Sequence, residues 1–230
     1  MRTILLITFF LSSFSSVFST NITFHNVNTL YGTSIREVAS VCKDRNGFIW
    51  ASSRTGVLRL TGDDYRVYSL PYDNKDVINV KLIYSNSDLL AYTNNGQLFK
   101  YNTILDKFDL LVSMPKSLNN KYLSVGNVLE DNSGGYWIAT SFGLYLYKDE
   151  HFSLINKVVD IDYLAWKDSD HLLVARSEGI WLLDIRKYKG FWISKYNNMS
   201  GLSVCPDCFM ISDKRGSGLG LRLMVSIVVI

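Results

Sequence analysis

The stretch Asp44-Arg-Asn-Gly-Phe-Ile-Trp50-Ala-Ser-Ser-Arg-Thr-Gly56-Val-Leu-Arg-Leu60 returns further along the chain as Asp131-Asn-Ser-Gly-Gly-Tyr-Trp137-Ile-Ala-Thr-Ser-Phe-Gly143-Leu-Tyr-Leu-Tyr147. Each copy reads as a polar turn, an apolar strand, a glycine turn and a second apolar strand. One such unit cannot bury its own apolar face, so copies must stack and cover one another. This repetition narrows the possible folds before any site is considered.

The spacing of the glycine turns identifies the kind of stack. Gly56, Gly96, Gly143 and Gly179 follow one another at intervals of 40, 47 and 36 residues, which bracket the roughly 40 to 50 residues of a four-stranded propeller blade. The segments Val80 to Tyr101 and Tyr163 to Leu183 keep the same order of strand, polar turn, strand, glycine turn, strand. Side chains alternate along a strand, so Phe48, Trp50 and Ser52 share one face while Ile49, Ala51 and Ser53 share the other. A strand apolar on both faces belongs inside a sheet. Asp44 to Gly47, Asp131 to Gly134 and Asn94-Asn-Gly96 place Asp or Asn before Gly, the residues that tolerate positive φ in tight hairpins. The Asp-rich loops are therefore turn formers, and neither carries the spaced ligands of a calcium loop. Aromatic residues make up 13% of the chain, prolines number only 3, and no long segment has helical apolar spacing. The expected fold is all-β with very little helix: a partial, open β-propeller of about four to five four-stranded blades.

Charge and termini bound the function. A net charge of +3 without a Lys/Arg cluster interleaved with aromatics excludes a nucleic-acid surface. Met1-Arg2, the apolar run Ile4 to Leu11 and the small polar stretch Ser12 to Thr20 form an export signal over residues 1–20, with cleavage near Ser19. The apolar run is too short to span a bilayer. Three cysteines leave at least one unpaired within the chain. Cys42 sits in an apolar strand as a buried free thiol. Cys205-Pro-Asp-Cys208 forms a local disulfide or two free thiols, with redox-dithiol chemistry as the alternative; no strand-to-helix step surrounds it. After Ser212 the sequence turns glycine-rich and then wholly aliphatic, so residues 201–230 read as a degenerate or frame-shifted fifth blade and tail.

The two best copies, Val41 to Leu60 and Val128 to Tyr147, resemble the two-component regulator propeller repeat, and Phe24 to Val38 resembles the opening of that family's first blade. The resemblance covers residues 22 to about 185, within an expected propeller region of 22–200. It implies the N-terminal part of the periplasmic sensor of a hybrid two-component histidine kinase of the Bacteroides type. In that family a signal peptide, a pair of propellers and a small β-sandwich precede a membrane helix, kinase, receiver and DNA-binding domains. The resemblance further implies an oligosaccharide ligand, a homodimer formed through sensor regions outside this chain, and an exported, periplasmic location. Gly216-Ser-Gly218-Leu-Gly220-Leu221 resembles a kinase ATP-lid box, but His25, His151 and His171 all lie in the propeller region and no other kinase box is present.

Candidate ligand contacts are Tyr31, Arg54 and Arg176, the two arginines lying just before the glycine turns of units one and four at nearly matching places. Trp50, Trp137, Trp166 and Trp181 read as packing residues. No converging pair of carboxylates stands out, so the chain is not expected to be an enzyme or to hold a cofactor or metal. The alternative function is a secreted propeller-like scaffold for a protein partner. Four units and an interrupted fifth leave two blade faces bare, so a marginal or aggregation-prone product is expected unless another chain covers them.

Overall fold

A computed structural model describes residues 26–32, 37–62, 64–72, 79–85, 88–159, 161–176 and 179–195. The chain divides into two compact units, Met1–Ile35 and Arg36–Ile230. In the first, the described part is a single helical turn, α1 (Val27–Tyr31). Asn26 caps it by accepting from the amides of Asn28 (2.9 Å) and Thr29 (3.4 Å), and Gly32 ends it in the left-handed region at φ 65°.

The second unit holds sixteen described strands in four sheets. Blade 1 is β1 (Ser40–Lys43), β2 (Ile49–Ser53), β3 (Gly56–Leu60) and β4 (Tyr65–Tyr68); blade 2 is β5 (Val80–Ser85), β6 (Asp88–Thr93), β7 (Gln97–Asn102) and β8 (Lys107–Ser113). Blade 3 is β9 (Val125–Glu130), β10 (Tyr136–Thr140), β11 (Gly143–Lys148) and β12 (His151–Asn156); blade 4 is β13 (Ile161–Trp166), β14 (His171–Arg176), β15 (Gly179–Asp184) and β16 (Lys189–Lys195). Every sheet is an antiparallel meander, each strand paired with its neighbours in sequence. A second helical turn, α2 (Met114–Ser117), lies in the connection from blade 2 to blade 3. The all-β expectation holds.

The first strands of successive blades lie side by side, β1 by β5, β5 by β9 and β9 by β13, so each blade runs outward from an inner first strand to an outer fourth strand. Three cores fill the spaces between blades. Trp50, Val57 and Tyr68 meet Leu82, Leu89, Phe99 and Phe108 between blades 1 and 2. Leu90, Tyr92 and Leu98 meet Val128, Ile138 and Tyr147 between blades 2 and 3. Trp137, Ala139 and Leu144 meet Leu164, Leu172, Val174 and Trp181 between blades 3 and 4. Trp50, Trp137 and Trp181 are packing residues, all but fully buried. Ala165, Leu173, Ile180 and Leu182 form a separate cluster on the other face of blade 4.

Gly56, Gly143 and Gly179 each open the third strand of a blade at φ 146°, 136° and 145°, paired with Ser53, Thr140 and Arg176. A Cβ on Gly56 would stand 2.5 Å from the Tyr68 carbonyl oxygen, so glycine is required there. Gly96 is different. It lies in the turn before β7 at φ 84°, with its amide donating to Thr93 O (3.0 Å), so the blade 2 turn is one residue longer than the others. The blade-length spacing read from the four glycines therefore mixes two kinds of turn.

The export segment 1–20, the tail 201–230 and the pair Cys205 and Cys208 lie outside the described residues.

Candidate functional site

Antiparallel order gives each blade two ends. The front end carries the turns between first and second and between third and fourth strands; the back end carries the turns between second and third strands and the links from blade to blade.

On the front end, the repeated Asp and Trp are joined. Asp44 accepts from the indole Nε1 of Trp50 (2.8 Å) and from the amides of Asn46 (2.9 Å) and Phe48 (3.0 Å). Asp131 accepts from Trp137 Nε1 (2.9 Å), from the Ser133 amide (3.0 Å) and from the Ser133 hydroxyl. One carboxylate thus closes the turn and satisfies a buried indole N–H that apolar packing would leave unpaired. Its burial alone raises the pKa of Asp131, but the Ser133 and Trp137 donors outweigh this and hold the carboxyl below its ordinary value.

Blades are also tied to one another by polar bonds. Ser40 Oγ accepts from the Leu82 amide (2.7 Å) and shares a hydrogen bond with Ser52 Oγ (2.8 Å), while Ser52 Oγ donates to Val80 O (2.6 Å). At the matching place in blade 3, Asn127 Oδ1 accepts from the Leu164 amide (3.2 Å). Trp166 Nε1 donates to Glu130 O (2.9 Å).

Between blades 1 and 2 the front end opens into a cleft of about 710 Å³. Two of its lining residues, Arg59 and Tyr101, are held by a network on Asp106, which sits in the last turn of blade 2 at φ 49°. Asp106 accepts from Tyr68 OH (2.8 Å), Tyr101 OH, Arg59 Nη1 (3.3 Å) and Arg66 Nη1. Burial raises its pKa, yet the hydroxyls of Tyr101 and Tyr68 and the guanidiniums of Arg59 and Arg66 outweigh it and keep the carboxyl below the usual range. Burial, then the bond to Asp106, pushes the Tyr68 and Tyr101 phenols up, so both stay protonated donors. The Arg59 guanidinium lies over the rings of Phe48 (5.3 Å), Trp50 (5.4 Å) and Tyr68 (5.4 Å). Cys42, a free thiol packed against this core, is pushed up to about 12 by burial and by Asp44, which leaves it inert as a nucleophile.

The structure places the two candidate arginines at the back end of their blades. Arg54 is exposed in the back-end turn of blade 1, its carbonyl accepting from Tyr72 OH (2.8 Å). Arg176 is the last residue of β14 at the same end, its Nε donating to Val159 O (3.1 Å) and its guanidinium over the Trp192 ring (5.3 Å). The register pairs Arg176 with Gly179 as it pairs Ser53 with Gly56. Arg176 therefore occupies the place of Ser53, one residue before that of Arg54, and the near-match read from the sequence is off by one. In the sister blades Ser53, Thr93 and Thr140 use this place to bond the turn with their hydroxyls; in blade 4 a stacked arginine stands there. Tyr31 is the last residue of α1 in the first unit.

Sequence reasoning missed Asp106 and Arg59. Asp106 is brought to Arg59 from 47 residues away, beyond any local pattern. Arg59 did carry a signal: it pairs with Trp50 as Leu146 pairs with Trp137, a charge where the other copy is aliphatic. Among the described residues, no group of three or more His, Cys, Asp or Glu is gathered to hold a metal, and no helix is long and apolar enough to cross a membrane.

Four radially placed four-stranded meanders define a β-propeller arc. Among solved structures, the chain is similar to one named as the extracellular domain of the hybrid two-component system BT3049 from B. thetaiotaomicron, with a TM-score of 0.58 and 15% identity over 74% of this chain and 26% of that one. It is likewise similar to the corresponding domain of BT4673 from the same organism, with a TM-score of 0.55 and 15% identity over 67% and 22%. The calcium-binding protein regucalcin from Agrobacterium tumefaciens gives a TM-score of 0.55 and 16% identity over 75% and 64%. At these identities the likeness is one of fold, and the chain spans only about a quarter of the length of the two extracellular domains. No protein-family model matches the sequence, and no curated protein does.

Proposed function

We propose that the chain is part of the periplasmic ligand-sensing propeller of a hybrid two-component histidine kinase, that it senses glycan-derived oligosaccharides, and that it is not itself catalytic. The observation that carries this reading is the Asp-turn-Trp blade, present twice in the sequence with the same hydrogen-bond geometry, within a fold shared with two extracellular domains of hybrid two-component systems. The export-type sequence at residues 1–20 supports a location outside the cytoplasm. Signalling would belong to further domains beyond the propeller, and dimerisation to sensor regions outside this chain.

Sequencing the gene and its downstream DNA tests this. A continuing or frame-shifted frame encoding more blades, a membrane helix and kinase boxes is expected; a stop followed by unrelated genes would contradict it.

A further inference from the structure

We propose that the front-end cleft between blades 1 and 2 is a binding site for a neutral oligosaccharide, and that ligand contact is made there and not at the back-end arginines. The inference rests on the glycan-sensing reading above and assigns its site.

The repeat supplies an internal control. Features that blades 1 and 2 share with blades 3 and 4 serve the fold; features that only the first pair carries are not required by it. At the places of Arg59 and Tyr101, the second pair has Leu146 and Leu183, both part of an apolar inter-blade core. At the place of Lys100 it has Leu182. Packing between blades is thus achieved with leucine at the two positions where the cleft presents the Arg59 guanidinium and the Tyr101 hydroxyl, while Leu182 belongs to the cluster on the other face of blade 4.

The chemistry of the lining selects the ligand class. Three carboxylates, Asp44, Asp88 and Asp109, are matched by three cations, Arg45, Arg59 and Lys100, so the cleft favours neither anions nor cations. The carboxylates are already oriented: Asp44 by Trp50 and its turn, Asp88 by Lys100 (2.5 Å), and Asp109 by Lys107 (2.8 Å) and Asn102 (3.1 Å). A carboxylate has about four acceptor sites, so fixed acceptors are left for hydroxyl groups without new ordering. Two half-buried rings, Phe48 and Tyr84, line the same space, and Tyr84 is held in place by the Arg45 amide donating to its hydroxyl (3.0 Å). The Arg45 side chain is exposed and makes no hydrogen bond or ion pair among the described residues, which leaves its planar set of donors for vicinal hydroxyls. Flat rings beside fixed polar groups, with no net charge, suit a polyhydroxylated neutral chain, and about 710 Å³ falls in the range of small-ligand sites, roughly 300 to 1,000 Å³.

The test is titration of the full chain with cellohexaose, xylohexaose, maltohexaose and tetragalacturonate, followed by tryptophan fluorescence. One neutral hexaose is expected to bind. Tyr84→Ala and Arg45→Ala should each weaken that binding by about tenfold or more, Tyr84→Phe by less than about threefold, and the exposed back-end change Lys121→Ala should leave it unaltered. Arg45 lies in an exposed turn, so its variant reports even if Tyr84→Ala fails to fold by circular dichroism. Binding kept in Arg45→Ala and Tyr84→Phe but lost in Arg54→Ala or Arg176→Ala would overturn the cleft and leave the sensor reading standing. Tighter binding of tetragalacturonate than of every hexaose would overturn the neutral class. No binding of any of the four would overturn the cleft and the glycan reading together.

Discussion

Asp131 and Gly56 show how much of each blade rests on single side chains. Replacing Asp131 with Ala leaves the buried Trp137 N–H without its acceptor, which costs about 1–3 kcal/mol; chemical denaturation should show this loss, with Asp131→Asn recovering part of it. The pH dependence follows from the depressed pKa of Asp131. A depressed carboxyl stabilises the folded chain above the unfolded value of about 3.9 and loses that contribution as pH falls through the lower folded value. The stability gap between the native chain and Asp131→Asn should therefore be flat from pH 7 to about 5 and close below about 4. Gly56→Ala would force a Cβ towards the Tyr68 carbonyl at φ 146° and should cost about 1–3 kcal/mol by the same measurement. These positions were legible in the sequence because turn chemistry is local: Asp, Asn and Gly at fixed offsets announce a hairpin. Gly96 misled for the same reason, since a glycine turn one residue longer has the same local composition.

At the scale of elements, what holds blade to blade is not local. Asn127 reaches Leu164 and Asp106 reaches Arg59 across 37 and 47 residues, and no periodicity in either strand foretells the partner. Asn127→Ala should leave blades 3 and 4 folded but accelerate amide hydrogen exchange at Leu164 by about tenfold, as its acceptor is removed; unchanged exchange at Leu164 would show that the bond carries no weight. Asp106→Asn keeps a residue that tolerates positive φ but removes the charge facing Arg59 and Arg66. The loss should be about 1–2 kcal/mol, reduced by solvent at Arg66, and should shrink below about pH 4, because the Asp106 pKa is also depressed. Strand order, by contrast, could be read directly, since each sheet pairs only neighbours in sequence. The cleft could not: its walls join the first turn of blade 1 to the last strands of blade 2, and only folding collects them.

At the scale of the whole molecule, the two terminal blades of the described arc each carry exposed apolar side chains beside buried ones. On blade 1 the register sets Val41, Ala51, Leu58 and Val67 in one row, of which Val41 (61%) and Val67 (57%) are exposed and Ala51 and Leu58 buried; on blade 4 it sets Ala165, Leu173, Leu182 and Phe191, of which only Phe191 (61%) is exposed. Exposed apolar side chains on terminal blades promote association. The chain should therefore elute above monomer mass in a concentration-dependent way by size exclusion with light scattering, and Val41→Lys with Phe191→Lys should shift it towards monomer; a cooperative monomer at all concentrations would contradict this. Most direct for the account as a whole is isothermal titration calorimetry of the native chain with the neutral hexaoses. Saturable one-site binding of at least one of them, with a negative heat-capacity change from ring burial, is the predicted result, and absence of heat with all of them would contradict a glycan-sensing propeller.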